Sequence, residues 1–477
     1  MAKKIKLQQT KIFQNLPIII LGIWYFFTWS WVFITDSLNL AGSVIVARII
    51  AVFLITINVA ISVFLVTTAF KYLKTKFSKF KTWQVVVFGI PVFALLDFLV
   101  SWLSAIIWIG PQGSIDSVLP LSSPSLILVN TPLKYASRLV GFYGLAGFFW
   151  LIIFLMTQKQ LRKHIKTTCV VLLVLSTIGW LMYKTPNGRS IKATVISETL
   201  SNRVGNMANR GSELVVFPEY GLEKIDNSNL STRLSENEDD SKTFFIGSQQ
   251  VFDSRPTGHI NMMLFGNNKD GIIAQQEKHR LIPGGEDLSF LVRAGLIATN
   301  RKSTIDYFSY QKMVNKGSEP LHNFKLDDQT VLGSAVCSSI ISPKDYQELT
   351  KSGATILTNS ASLSIFKGSR IFSWQQKSLA KFMAVANSRY FLQSANAASA
   401  YVLDNNGNQK AEVKGIEAID YVAKTNTNKT LYTIIGDYLT ALGSLIVAIW
   451  LISYLKTQKV QKKSNKKVSK AKIKKNQ

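Results

Sequence analysis

Long apolar runs dominate the first part of the chain. Each run holds almost no charged residue and approaches or exceeds the length of about 20 residues that a helix needs to cross a bilayer. A similar run lies near the carboxyl end of the chain. We therefore predict membrane-spanning helices over 17–35, 49–70, 83–109, 139–156, 167–183 and 432–454.

The pattern changes between residues 186 and 430. Short stretches rich in β-branched and aromatic residues alternate there with amphipathic stretches, of which 374–387 places Leu379, Phe382 and Met383 on one helical face. This alternation predicts an α/β domain. Its strands are expected at 192–197, 214–218, 244–252, 261–265, 271–276, 331–336, 354–358, 390–394 and 400–404.

Charge decides how the apolar runs are oriented. The chain has 55 Lys and Arg residues against 28 Asp and Glu residues, a formal net charge of +27. Four blocks without acidic residues, at 1–11, 71–82, 158–167 and 456–477, carry most of this excess. Basic residues beside membrane spans stay on the cytoplasmic side, so the blocks predict membrane topology and no nucleic-acid partner.

This topology divides the chain into four parts. Residues 1–185 form a transmembrane domain of about five helices with a cytoplasmic amino end, 186–430 an extracytoplasmic α/β domain, 431–455 a last membrane helix, and 456–477 a cytoplasmic lysine-rich tail. We expect a multi-pass protein of a cell membrane. Asp97 is a carboxylate inside a span, which indicates either a functional group or a helix-packing contact.

Most familiar catalytic motifs are missing from the sequence. The four histidines have no metal-ligand spacing, and HExxH, GxSxG and Walker motifs do not occur, so we expect no metal and no cofactor. The two cysteines cannot form a disulfide framework. Cys169 lies in a predicted span and is interpreted as a packing residue, whereas Cys337 ends a predicted strand on the oxidising side and is a candidate nucleophile.

Three segments of the α/β domain carry a resemblance. LVVFPE at 214–219, EKHRLIPGGE at 277–286 and GSAVC at 333–337 resemble, in order and strand-end placement, the three catalytic segments of the nitrilase (carbon–nitrogen hydrolase) superfamily. Each segment is weakly specific alone. With several spans before the domain and one after it, the chain resembles the apolipoprotein N-acyltransferase family, and the match continues through Thr358, Asn359 and Ser360.

The resemblance implies a fold and a set of site residues. The α/β domain would be an αββα sandwich, with Cys337 as nucleophile, Glu219 as general base and Lys278 as oxyanion stabiliser. It also implies supporting or substrate-pocket roles for Glu286, Ser338 and Asn359.

The resemblance further implies a two-step acyl transfer. Cys337 would take an acyl chain from a membrane phospholipid as a thioester, and the free α-amino group of a diacylglyceryl-modified cysteine on an apolipoprotein would accept it. The partners would then be membrane lipid, a phospholipid donor and the lipoprotein acceptor, with the enzyme working as a monomer. The apolar segments 288–297 and 363–366 could reach the lipid surface or belong to the core.

The sequence departs from the family after the cysteine. Ser338 and Ser339 stand where the family has an aromatic residue and a glutamate, and Gly284 replaces a phenylalanine before Glu286. Two alternatives therefore stay open. One is a membrane-tethered nitrilase-type amidase that uses the same three residues, and the other is a catalytically weakened relative that binds lipid or lipoprotein.

Overall fold

Apolar helices make up the first part of the computed structural model, which describes residues 18–35, 44–198, 211–222, 242–252, 259–282, 285–311 and 313–475. Among the described residues, five helical segments are long and apolar enough to cross a membrane: Arg48–Phe77, Thr82–Ile107, Pro132–Thr157 and Lys159–Met182 before the strands, and Tyr438–Gln458 after them. A shorter apolar helix, Ile18–Phe33, precedes them. Their length and composition fit a membrane protein.

The helices are numbered here in chain order. They are α1 (Ile18–Phe33), α2 (Val44–Phe77), α3 (Thr82–Ile107), α4 (Ser125–Leu128), α5 (Ser137–Thr157), α6 (Ile165–Met182), α7 (Phe290–Ala298), α8 (Lys302–Gln311), α9 (Pro343–Lys351), α10 (Arg370–Ala386), α11 (Leu431–Ile435) and α12 (Tyr438–Lys475).

The strands form two six-stranded sheets, which confirms the predicted α/β domain. The strands are β1 (Ser190–Ile196), β2 (Leu214–Val216), β3 (Phe244–Phe252), β4 (His259–Asn267), β5 (Gly271–Glu277), β6 (Asn323–Lys325), β7 (Val331–Val336), β8 (Ile356–Ser362), β9 (Phe391–Asn396), β10 (Ala400–Leu403), β11 (Gln409–Val413) and β12 (Ala418–Lys424).

Each sheet has a parallel centre and antiparallel edges. The first has the order β12-β1-β2-β3-β4-β5 and the second β11-β10-β9-β8-β7-β6, with β1–β3 and β7–β9 parallel. The central strands are buried along nearly their whole length, as parallel strands require. Where the sheets meet, the Ser394 hydroxyl donates to the Ile196 carbonyl at 2.5 Å.

Helices α9 and α10 pack on the second sheet, so sheet, sheet and helix form three layers of the expected αββα sandwich. The segments 199–210 and 223–241, which flank β2, lie outside the described residues. Strands β6, β11 and β12 are absent from the sequence prediction. All three are edge strands, and each is short or carries charged residues, so pairing with a neighbouring strand stabilises them more than their own composition does.

A buried arginine joins the apolar helices to the α/β domain. Arg138 at the start of α5 is fully buried and donates to the carbonyls of Gly179, Val385 and Asn405 at 3.1, 3.0 and 2.6 Å. These acceptors belong to α6, α10 and the turn after β10. One side chain therefore fixes three elements, since a buried guanidinium must satisfy its donors.

The one charged residue inside α3 is also hydrogen-bonded. Asp97 is buried and accepts from the Ser123 hydroxyl at 2.6 Å and from the indole nitrogen of Trp150 at 2.9 Å. These contacts agree with the packing interpretation of this carboxylate.

Helix α5 is interrupted at Gly141, whose φ and ψ of 75° and −170° suit glycine almost alone. The carboxylate of Asp437 caps the restarted helix, accepting from the backbone nitrogen of Tyr143 at 3.0 Å. Asp437 follows Gly436, whose φ of 64° separates α11 from α12. The predicted span over 432–454 is therefore corrected, because its first residues form the separate helix α11, with Tyr432 and Thr433 buried.

We expect Gly141→Ala to lower the free energy of unfolding by about 1–3 kcal/mol. An alanine would be strained at this positive φ, and its Cβ would collide with the Asp437 side chain. Thermal unfolding of the detergent-purified protein measures this loss. Gly22→Ala is the matched control, since a Cβ at Gly22 in α1 meets no atom within 4 Å. An equal loss in both variants would contradict this explanation.

Candidate active site

Glu219 lies just beyond the carboxyl end of β2 and is almost fully buried. Its Oε1 accepts from the Asn261 side chain at 2.5 Å and from Lys278 Nζ at 2.9 Å, and its Oε2 accepts from the backbone nitrogen of Ser362 at 3.0 Å. The next residue, Tyr220, has a φ of 65°. The chain turns sharply here, and the turn leaves the carboxylate fixed between the two sheets.

Lys278 follows the end of β5 and is completely buried. Its Nζ lies 2.9 Å from Glu219 and 2.5 Å from Oε1 of Glu286. The other oxygen of Glu286 accepts from the backbone nitrogen of Ile282 at 2.9 Å. One ammonium group therefore joins two carboxylates, each of which also has a backbone donor.

Cys337 directly follows β7 and begins a single 3-10 turn, Cys337–Ile341. Its φ of 44° is in the left-handed region, which costs energy for a residue with a side chain and is frequent at functional sites. The thiol is buried, and it lies within hydrogen-bond reach of the Ser362 carbonyl, 3.6 Å from Sγ, and of the Glu219 carboxylate. The fold thus brings Glu219, Lys278 and Cys337 together.

Burial dominates the protonation of this cluster. It raises the pKa of Glu219 above its ordinary value, an effect that Lys278 opposes and Glu286 increases. Burial also raises the pKa of the Cys337 thiol, and Glu219 adds to that rise. Burial would lower the pKa of Lys278, but the carboxylates of Glu219 and Glu286 raise it well above its ordinary value. The site therefore holds a neutral thiol beside a charged lysine at neutral pH.

Of the three supporting residues that the resemblance implies, the structure places Glu286 and Ser338 at the cluster and Asn359 away from it. Glu286 belongs to the cluster. Ser338 is buried next to it, and its hydroxyl donates to the Arg280 carbonyl. Asn359 takes a different position, because its amide bonds to the Tyr346 hydroxyl at 3.1 Å and to Gln393 at 3.0 Å rather than to the cluster.

Arg280 is a site residue that the sequence interpretation missed. Its guanidinium binds both carboxylate oxygens of Asp345 at 3.1 Å and lies 3.2 Å from the Ser117 hydroxyl. Its position two residues after Lys278 was the available signal. The pair with Asp345 holds the segment after β5 against the start of α9.

A cavity lies beside the cluster, where the loop after α3 meets the α/β domain. Trp108, Ile109 and Leu119 are among its apolar lining residues, and Arg280 and Ser338 are among its polar ones. The cavity touches the segments that carry Lys278 and Cys337. A substrate held there would also contact the end of the apolar helix α3 and the loop after it.

Gln112 fastens the loop after α3 to the site. Its side-chain nitrogen donates to the Val314 carbonyl at 2.8 Å, and its side-chain oxygen accepts from the backbone nitrogen of Lys316 at 2.7 Å. Its own backbone nitrogen donates to Asp287 at 3.1 Å. Burial raises the pKa of Asp287 to about 6. Because Asp287 adjoins Glu286, the loop supports the cluster from the side of the apolar helix α3.

Two apolar segments differ in exposure. Helix α7, within the predicted segment 288–297, exposes Phe290, Leu291 and Ile297 to about half of their surface. Leu363 and Phe366 are buried, so the second segment is core, as one interpretation held. Among the described residues, no group of three or more His, Cys, Asp and Glu side chains could hold a metal ion. Pro283 and Gly284 lie outside the described residues.

No family model matches the chain, and no curated protein matches it. Similar solved structures include Nit3 of Saccharomyces cerevisiae, a member of branch 10 of the nitrilase superfamily, at 15% identity over 50% of this chain and 91% of Nit3, with a TM-score of 0.36. A mutant of the Nesterenkonia AN1 amidase, from the same superfamily, is similar at 13% identity over 56% of this chain and 98% of the amidase, with a TM-score of 0.36.

A carbon–nitrogen hydrolase from Helicobacter pylori G27 is similar at 14% identity over 49% of this chain and 89% of that chain, with a TM-score of 0.35. Likenesses of this size assign neither a substrate nor a reaction to this chain.

We expect Lys278→Met to destabilise the protein by about 3 kcal/mol or more, because it leaves two buried carboxylates without their cation. Without the opposing charge of Lys278, the buried Glu219 carboxyl group would bind its proton more tightly in the folded than in the unfolded chain. The loss should therefore be largest near pH 8 and shrink as the pH falls. Denaturant unfolding at several pH values measures it.

Lys325→Met is the matched control, since Lys325 pairs with Asp328 on an exposed surface. A loss that grows toward acid pH, or one of the same size in the control, would contradict the electrostatic explanation.

Proposed function

We propose that this chain is a membrane acyltransferase of the apolipoprotein N-acyltransferase type, within the nitrilase superfamily. It moves an acyl chain from a phospholipid to the α-amino group of a diacylglyceryl-cysteine on an apolipoprotein. One observation carries the proposal: a buried thiol, carboxylate and ammonium group meet beside a cavity that is also lined by the end of the apolar helix α3 and by apolar residues of the loop after it. A water-soluble amidase has no need of such a lining.

In the first step, Glu219 accepts the proton of the Cys337 thiol as sulfur attacks the ester carbonyl of the phospholipid. A base within reach is needed because burial keeps the thiol protonated. The Lys278 ammonium and a backbone N–H near Cys337 stabilise the oxyanion of the tetrahedral intermediate. Collapse breaks the ester C–O bond, Glu219 returns the proton to the leaving oxygen, and a lysophospholipid departs from the thioester.

In the second step, the free amine of the acceptor attacks the thioester carbonyl. Glu219 takes the proton from the nitrogen, the C–S bond breaks, and the sulfur regains a proton from Glu219. Glu286 keeps Lys278 in place through both steps by its contact at 2.5 Å. The whole cluster lies within one chain, so we propose a monomer as the working unit.

We propose that the α/β domain lies on the extracytoplasmic side of a bacterial cell membrane, because the basic blocks favour the cytoplasmic side. Helix α7 supports contact with the lipid. Its Gly295 packs against Ile50 of α2, and its exposed Phe290 and Leu291 extend the apolar surface of that helix. Confining enzyme and both lipid substrates to one plane raises their effective concentration.

We expect Cys337→Ala to abolish acylation. Wild type and variant are expressed in cells that lack lipoprotein N-acylation, and the N-terminal peptide of a lipoprotein is analysed by mass spectrometry. The wild type should add one acyl chain to the amine, and Cys337→Ala should leave the amine free. Cys169→Ala, which changes a thiol in α6, is the matched control and should behave as wild type.

A free amine with the wild type would overturn the proposal. If the wild type instead released ammonia from small amides in a Cys337-dependent manner, the chain would be a membrane-tethered amidase. If it bound lipid with no turnover of either kind, it would be a binding relative.

We expect the rate of thioester formation to fall on acidification through a pKa above the ordinary glutamate value of about 4.3, because the base must be ionised and burial raises the pKa of Glu219. Glu219→Gln should lower this rate by about 10²–10⁴-fold. Intact-protein mass spectrometry after mixing with phospholipid follows the adduct, which hydroxylamine removes. A pH-independent rate between pH 4 and pH 8 would rule out Glu219 as the base.

A further inference from the structure

We infer that a second cavity beside the candidate active site binds the phosphate of an anionic phospholipid headgroup. This inference rests on the proposed function and names the lipid that the site uses. The cavity lies where α3 and the start of α12 meet α9 of the α/β domain. Its cationic residues are Arg280, Lys344 and Lys351.

The position of this cavity suits a headgroup. Phe98 of α3 and Tyr438 and Ala441 of α12 line its membrane side, and the three cations come from the α/β domain. Apolar lining residues next to cationic ones match the boundary between acyl chains and phosphate in a bilayer. Lysine and arginine at this level attract anionic lipids.

The second cavity also adjoins the first. Arg280, Val118 and Ser342 line both. A phospholipid with its phosphate in the second cavity can therefore extend toward the first, where Ser338 adjoins Cys337. Arg280 is held rigidly by Asp345 and spends three of its five donors on Asp345 and Ser117, which leaves donors for a phosphate oxygen.

The carboxylates that line this cavity are already engaged. Asp437 accepts from the backbone nitrogen of Tyr143, and Asp116 accepts from the Ser114 hydroxyl and lies 3.8 Å from Arg280. Lys344 has only a long, exposed contact of 3.6 Å with Glu348. A ligand in this cavity would therefore mainly meet the positive charges of Arg280, Lys344 and Lys351. We expect the site to favour phosphatidylglycerol over phosphatidylcholine, whose own cation would oppose the lysines.

The test measures lipid binding separately from turnover. The full chain is purified in nanodiscs that hold equal amounts of phosphatidylglycerol and phosphatidylcholine with the same acyl chains, and lipids retained after detergent extraction are counted by native mass spectrometry. Wild type should retain phosphatidylglycerol preferentially. Lys344→Gln/Lys351→Gln should reduce that preference by about tenfold. The control Lys410→Gln/Lys424→Gln, on exposed positions of β11 and β12, should leave it unchanged.

Three results would overturn the inference: equal retention of both lipids by wild type, an equal loss of preference in the control, or displacement of the lipid by millimolar inorganic phosphate, which would indicate a site for free phosphate. The proposed function fails differently. A chain that retains phosphatidylglycerol through these lysines but forms no thioester would keep the headgroup site and lose the acyltransferase assignment.

Discussion

The candidate site depends on a lysine buried between two carboxylates. An ammonium group removed from water is stable only when its charge is matched, and Lys278 meets this condition through Glu219 and Glu286. Each carboxylate is held in turn by a backbone donor from a different loop, Ser362 for Glu219 and Ile282 for Glu286. The ends of β2, β5 and β8 are thus fixed to a common point, and the thiol at the end of β7 is placed against it.

The strands that precede Glu219 and Cys337 could be predicted from the sequence, because each is marked by a short local run of apolar residues. The buried runs before Glu219 and Cys337 are apolar and contain β-branched residues, and they form central parallel strands, β2 in the first sheet and β7 in the second. The edge strands β6, β11 and β12 give no comparable signal. Strand β11 carries Lys410 and Glu412, and its composition is typical of a surface loop. It is a strand because it pairs antiparallel with β10.

Residues that act across long sequence distances escaped the sequence interpretation. Arg280 lies in a recognisable motif, but its partner Asp345 is 65 residues away and belongs to another element. Gln112 lies in a short loop after α3, and nothing local connects it with Val314, 202 residues later. Asn359 is the opposite case. Its motif suggested the site, while its strand position turns the amide toward Tyr346 and Gln393.

The hydrogen bonds of Gln112 bear on how such proteins can diversify. The Gln112 side chain hydrogen-bonds to the backbone at both Val314 and Lys316. An apolar helical part taken from a similar protein would therefore fit this α/β domain only if it had the same loop geometry. Recombination at the apparent domain boundary near residue 185 would cut no helix or strand. It would still separate Gln112 from the Val314 and Lys316 backbone that it binds. Functional chimaeras should therefore require the 109–113 loop and the 286–316 segment to be inherited from the same parent.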